Sequence, residues 1–405
     1  KVAGGARKYG GEQVNEQTIQ FEKGPNNRIF MRVVSLISRA DSTQTIAKAV
    51  KNSYLDPIVA AFDVKAYGKD STSSIIDVTD FFKGDNQAVS LSTFEKRNFN
   101  LSGLASDRSY IETIKSYPIN IEVKTVKTYN ASSPMPGSPA GGSFIPAAAN
   151  AGAVTFELNT SILLLPKTPM GRRLFDSRVG YFADNFVEYS DDQQKVKNQV
   201  FAVRYRLEPK PQDLEKYKRG ELVEPIKPIV YYVDPATPKK WVPYLIAGVN
   251  DWNVAFEKAG WKNAIVGKEW PNDSTMSLED ARFSVIRYFA SDIENAYGPQ
   301  VHDPRSGEIL ESHVGWYHNV MSLVHDWYMV QTAAVDPAAR KMHFDDELMG
   351  NLIRFVSSHE IGHTLGLRHN MGSSSKTPVE KLRDKTWVEA NGHTASIMDY
   401  ARFNY

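Results

Sequence analysis

Residues 359–369 read His-Glu-Ile-Gly-His-Thr-Leu-Gly-Leu-Arg-His. On a helix, His359 and His363 stand four positions apart, so both imidazoles leave one face about 6 Å apart and can reach a single ion at about 2.1 Å. Glu360 points to the side of that ion, where its carboxylate can take a proton from an activated water without serving as a ligand. Gly366 lets the helix end in a left-handed turn that a side chain disfavours. The turn swings the chain back so that His369 supplies a third nitrogen. Three neutral imidazoles with one position left open make a catalytic zinc site, not a closed structural one, and one Zn2+ ion is expected. The short motif of two histidines and a glutamate arises often by accident; the extended spacing does not.

A second signal is Ser396-Ile397-Met398-Asp399-Tyr400, with Met398 placed 29 residues after His369. The extended histidine motif followed by a methionine-containing turn resembles the signature of the metzincin clan of zinc proteases. The resemblance implies that Met398 forms an apolar floor beneath the histidines and does not bind zinc. It also implies a role for Tyr400, which matches the position where the astacin and serralysin branches carry a tyrosine. There it is a metal ligand that swings away to hydrogen-bond the oxyanion. Residues 231–235, 252–260 and 298–310 are similar to a family of large exported met-zincins, found chiefly in Bacteroidetes, with a β-rich domain of unknown function before the protease. Residues 176–182 are similar to the end of that upstream domain. In that family the chain continues past the methionine turn, so the catalytic domain is expected to lack its C-terminal continuation. The resemblance implies a zinc-dependent endopeptidase acting on proteins or peptides, exported to periplasm, cell surface or exterior.

The elements that must position these residues are legible in part. The chain has 405 residues and a formal net charge of +1, with 41% hydrophobic and 23% charged residues. That length favours two or more domains. The near-zero charge argues against broad electrostatic binding to nucleic acid or an anionic membrane. Cysteine is absent, which excludes disulfides and thiolate zinc sites but identifies no compartment. No apolar run approaches the ~20 residues that span a bilayer. Lys1 opens without a signal-peptide pattern, and any targeting segment is expected upstream.

The first half reads as β-rich. Ile119, Ile121 and Val123 alternate with polar residues, as do Val154, Phe156 and Leu158. The Pro-, Gly-, Ala- and Ser-rich stretch 131–152 reads as a mobile loop joining two paired strands. A charged stretch with four prolines, 209–228, reads as the boundary between a β-rich domain, 1–222, and a catalytic domain, 223–405. Beyond it the pattern predicts a strand at 229–233, a helix over 241–260 stopped by Gly260, a strand at 283–289, an edge strand at 308–313, a helix over 324–334 and the motif helix over 345–367. The fold class is therefore α+β, and the resemblance makes the second domain zincin-like: a twisted mixed sheet plus the active-site helix. Substrate is expected to lie extended along the edge strand 308–313.

Weaker candidates are His302, Asp303, His313, His318 and His325 as a second zinc cluster, with spacings that fit no template. His393 reads as a loop residue. Arg172, Arg173 and Arg178 read as a salt-bridged surface, and Asp191-Asp192 lack a calcium-loop pattern. The alternatives to a peptidase are a non-catalytic binding or scaffold protein with a vestigial site, and a hydrolase of small amides on the same scaffold. An intact Glu360 argues against the vestigial site.

Overall fold

The computed structural model describes residues 13–69, 72–132 and 146–403. The chain divides into two compact units: residues 1–164 with 186–199, and residues 165–185 with 200–405.

The first unit is built from strands. β1 (Ile19–Gly24), β2 (Arg28–Val33), β4 (Ile58–Tyr67) and β5 (Ser74–Ile76) form an antiparallel sheet in the order β1-β2-β4-β5, and β3 (Ser38–Ala40) pairs separately, parallel to the later half of β10 (Ala183–Tyr189). A second sheet holds β6 (Leu101–Leu104), β7 (Tyr110–Ser116), β8 (Asn120–Ala131) and β9 (Ala153–Leu163). β8 and β9 pair in unbroken antiparallel register from Asn120↔Leu163 to Asn130↔Ala153, as the alternating pattern requires. Of the expected loop 131–152, residues 133–145 lie outside the described ones. Its later part is a short helix, Pro146–Ala151, that buries Ala148 against Phe99, Tyr129 and Phe156.

This sheet packs around an ion that composition does not announce. Lys127 is wholly buried, and its Nζ donates to Gly84 O at 2.6 Å, Val89 O at 3.0 Å and Ser90 Oγ at 2.6 Å. Burial pulls its pKa down to about 8, and the three acceptors replace the water the ammonium gives up.

β11 (Lys197–Ala202) leads into the second unit, whose core sheet has five strands. These are β12 (Ile229–Val233), β13 (Ile265–Glu269), β14 (Ser284–Phe289), β15 (Ala296–Tyr297) and β18 (His313–Tyr317), in the order β13-β12-β14-β18-β15. Four run parallel and β15 is antiparallel, so the sheet is mixed. β16 (Val301–Asp303) and β17 (Glu308–Glu311) form a separate antiparallel hairpin. Tyr231, Val233, Ile286, Val314 and Trp316 from the sheet meet Leu245, Val249, Val324, Leu352, Ile353 and Ile361 from the helices in one core. The helix expected over 241–260 is broken into Val242–Asn250 and Asn253–Lys258, and Gly260 ends it at φ +92°. The helix expected over 324–334 runs from Val320 to Thr332. No helix among the described residues is long and apolar enough to cross a membrane.

Two expectations are corrected. Residues 165–185 and 200–222, expected in the first domain, pack with the second unit. The proline-rich stretch is therefore folded within the second unit and is not the boundary: Pro209 and Pro225 form a bridge, Ile226 N donates to Glu208 O at 2.8 Å, and Val223 is buried against Trp261. Residues 308–313 are not the sheet edge, because Glu308–Glu311 is held by β16 while β18 lies between β14 and β15. The edge is β15, too short for a periodicity to reveal.

Replacing Lys127 with Met removes the donor and leaves two buried carbonyls without their partner. The expected loss of stability is about 3 kcal/mol, read as a lower urea midpoint for the first unit; an unchanged midpoint would show that the ammonium is not structural.

Candidate metal centre

The active-site helix runs from Asp346 to Thr364, with Asp345 at its N-cap position in extended backbone. Its sequence alternates faces at helical spacing, and from Val356 to Thr364 every residue but His363 is buried. A polar seam docks it on helix Val242–Asn250. Ser357 Oγ donates to Leu245 O at 3.0 Å, Ser358 Oγ to Gly248 O at 3.0 Å, and Arg354 Nε to Asp251 Oδ2 at 2.9 Å. Gly248 permits this approach, since a Cβ there would lie 2.5 Å from Ser357 Cβ. The helix is thereby fixed in rotation, which decides where its imidazoles point.

The helix stops where the spacing predicts. Leu367 N donates to Gly362 O at 3.1 Å and Gly366 N to His363 O at 3.0 Å, the paired bonds of a glycine C-cap, with Gly366 at φ +100°. The exit is then held from the side. Phe182 N donates to Gly366 O at 2.7 Å and Arg368 N to Gly180 O at 2.6 Å. A Cβ on Gly366 would collide with the carbonyl of Val203. The residues that clamp this turn, Gly180 to Phe182, come from the stretch assigned by sequence to the upstream domain.

The turn brings three nitrogens together. His369 Nε2 lies 3.2 Å from His359 Nε2 and 3.1 Å from His363 Nε2. The opposite ring nitrogens of the helical pair are engaged: His359 Nδ1 donates to Ile397 O and His363 Nδ1 to Leu367 O, each at 2.8 Å. A neutral imidazole that donates through Nδ1 presents a bare lone pair at Nε2. Burial lowers the pKa of all three, that of His359 to about 4. The donor set therefore fits a zinc ion: three neutral imidazoles, converging lone pairs and carbonyl acceptors behind two of them. Among the described residues this is the one cluster with metal-ligand geometry.

Glu360 sits beside the triad, nearly enclosed, and burial pushes its carboxyl up to about 8 against a single opposing hydrogen bond from Gly298 N. Gly298 follows β15, and a Cβ there would collide with Glu360 O and lie 3.1 Å from His363 Cβ. Sequence placed Gly298 only at the start of the family-like stretch 298–310; a glycine before proline carried no sign of close approach to Glu360, 62 positions on.

Met398 lies beneath the helix, 2% exposed. Asn370 N donates to Met398 O at 2.8 Å, so the methionine turn is tied to the residue after the third histidine. Asp399 anchors the turn by accepting from Ser373 Oγ at 2.9 Å and Ser374 N at 2.6 Å. The thioether fits because position 362 is glycine: a Cβ there would collide with Met398 Sδ and lie 2.7 Å from the Trp252 ring. Trp252 completes the seat by donating from Nε1 to Ser358 O at 2.8 Å. Neither Gly362 nor Trp252 was singled out by sequence, because glycine at x in the motif is spacing-neutral. Tyr400 stands over the imidazoles, its ring centroid 4.4 Å from that of His369 and 5.5 Å from that of His359.

The weaker candidates are not brought together. His302 Nε2 pairs with Asp184 at 2.9 Å, His318 Nδ1 with Tyr288 OH at 2.7 Å, and His325 Nε2 with Lys341 O at 3.0 Å. His313 is half-buried at the start of β18, and burial brings its pKa down to about 4. Asp303 is taken by Arg305, and Arg178 by Asp176. In the first unit, Asp191 accepts from Thr45 N and Ile46 N at the start of helix Ile46–Ser53, a helix-capping role and not a calcium one.

Replacing Gly362 with Ala forces the methionine turn away from the helix. Zinc affinity is expected to fall about 10- to 100-fold, as for other residues that support ligands. Gly372→Ala, with open space around its Cβ, should bind zinc like the parent. Equal affinities for both variants would show that the methionine seat does not hold the triad.

Comparison with known families agrees with this geometry. Residues 11–210 match the model of a domain of unknown function (DUF5117), and residues 341–405 match that of the Met-zincin family. No curated protein and no solved structure matches the chain. The second match begins just before the active-site helix and takes in the histidines, the methionine turn and Tyr400. Residues 341–405, which hold the histidine triad, thus fall within the Met-zincin family's model, behind a domain of unknown function.

Proposed function

We propose that this chain is a zinc-dependent endopeptidase that hydrolyses peptide bonds of proteins or peptides. The observation that carries the reading is the pairing of three convergent neutral imidazoles with an enclosed carboxylate in one open cavity. That cavity has a volume of about 580 Å³ and is lined by His359, Glu360, His363, His369, Tyr400 and the β15 edge, among others.

Each residue has a distinct part. His359, His363 and His369 hold the ion. Zinc, when bound, supplies Lewis acidity that acidifies water and polarises a carbonyl. Glu360 is the general base: its carboxylate takes the proton of the attacking water and delivers it to the leaving nitrogen. A carboxyl with a raised pKa suits both halves of that exchange, and Gly298 N–H holds it in place. The Tyr400 hydroxyl donates to the oxyanion as charge develops there. Met398 and Gly366 act through position, one as floor and the other as hinge of the exit turn. β15, Ala296–Tyr297, at the end of the sheet order, offers main-chain groups to an extended substrate, which takes the role expected of residues 308–313. Export from the cell belongs to the same reading, since it rests on the likeness to exported met-zincins alone.

Glu360→Ala should keep one zinc per chain and lose at least about 10²-fold in kcat. Tyr400→Phe should also keep its zinc and lose roughly 10²-fold in kcat with KM little changed. Peptide hydrolysis with parallel metal analysis checks both. Full turnover by the Glu360 variant would refute the assigned base, and an unchanged rate for the Tyr400 variant would return that residue to packing.

A further inference from the structure

The wall of the cavity holds a cation that has no counter-ion among the described residues. Arg402 lies two residues past Tyr400, with its guanidinium carbon 3.8 Å from the centroid of the Trp327 ring and 5.7 Å from that of Tyr400. Both Arg402 and Trp327 line the cavity, together with Leu323, Phe355 and Val356. Its Nε is closed off from solvent without an acceptor, and among the described residues no carboxylate pairs with it. Arg402 is also held at φ +55°, a region uncommon for residues other than glycine. The next residue fixes the segment. Phe403 packs on Tyr328 and Phe355, and its N–H donates to Gln331 Oε1 at 3.2 Å. The guanidinium is thus positioned by a stacked ring and an anchored backbone, not by an ion pair.

The charge balance of the cavity points the same way. Its lining carries two guanidinium groups, Arg368 and Arg402, against one carboxylate, Glu360. The imidazoles are neutral, so a bound zinc ion makes the cavity more positive still. A stacked arginine keeps its edge donors free, and these match the two oxygens of a carboxylate. An apolar partner here would leave the cation uncompensated.

We propose that Arg402, stacked on Trp327, receives a substrate carboxylate close to the scissile bond, either an acidic side chain or a free chain end. The proposal deepens the peptidase reading and rests on it for the word substrate: an acidic side chain there fits an endopeptidase, whereas a free chain end would make the cut exopeptidic, and carboxylate recognition can be measured without turnover.

The test uses the intact zinc-loaded protein and two peptide pairs. One pair places Asp or Asn beside the bond that is cut, with both ends blocked. The other compares a free-acid with an amidated chain end at the same distance. One pair should show kcat/KM about tenfold higher for the carboxylate member, and the pair that does so identifies the source. Arg402→Gln should erase that preference, and Arg402→Glu should turn it towards a Lys-containing peptide. The same pairs are titrated by calorimetry into the Glu360→Ala protein. There the carboxylate member should bind about tenfold tighter, and Arg402→Gln in that background should bind both members equally. No preference in either pair, or a preference that survives Arg402→Gln, overturns the proposal. Absent hydrolysis together with a carboxylate preference that depends on Arg402 would remove the peptidase reading and keep the recognition site.

Discussion

The metal centre depends on a reversal of the chain. Two histidines on one helical face define a line, and a line does not enclose an ion. The third must come from a residue that the helix itself would carry away. Gly366 supplies the reversal through a left-handed backbone, and the backbones of Gly180 and Phe182 clamp it from outside. Clamping from a distant segment converts a permissive turn into a fixed one. The clamped turn places His369 Nε2 within 3.2 Å of both partners.

Around that reversal, each supporting contact has a steric or polar reason. Glycines stand where something approaches too closely for a side chain: Ser357 at Gly248, the methionine thioether at Gly362, Glu360 at Gly298. Polar contacts set orientation, as when Ile397 O and Leu367 O fix the tautomers of the two helical imidazoles. The methionine turn therefore acts twice, filling the space beneath the helix with Met398 and orienting His359 through the preceding carbonyl. Burial keeps the imidazoles neutral, the form in which they can ligate a metal, and raises the proton affinity of the Glu360 carboxylate.

The parts of this centre that sequence disclosed are those governed by local geometry. The i, i+4 histidines, the glycine stop and the strands with alternating apolar residues follow from helix and sheet periods. So does the pairing of β8 with β9, whose inward residues repeat over eleven positions. What stayed hidden depends on contacts between distant positions. The sheet edge, Ala296–Tyr297, is two residues long and has no period to detect. The proline-rich stretch looked like a domain boundary because composition does not show that Val223 and Trp261 bury one another. The clamp from residues 180–182 and the seat of Arg402 on Trp327 likewise join segments that local patterning cannot relate.

The central claim is that three imidazole nitrogens and no other protein side chain hold the ion. X-ray absorption at the zinc edge of the metal-loaded protein measures this directly. The account predicts three nitrogen ligands from histidine at about 2.0–2.1 Å, with the remaining position taken by a solvent oxygen. A shell with two histidines, or one in which His369→Ala leaves the histidine count unchanged, would contradict it.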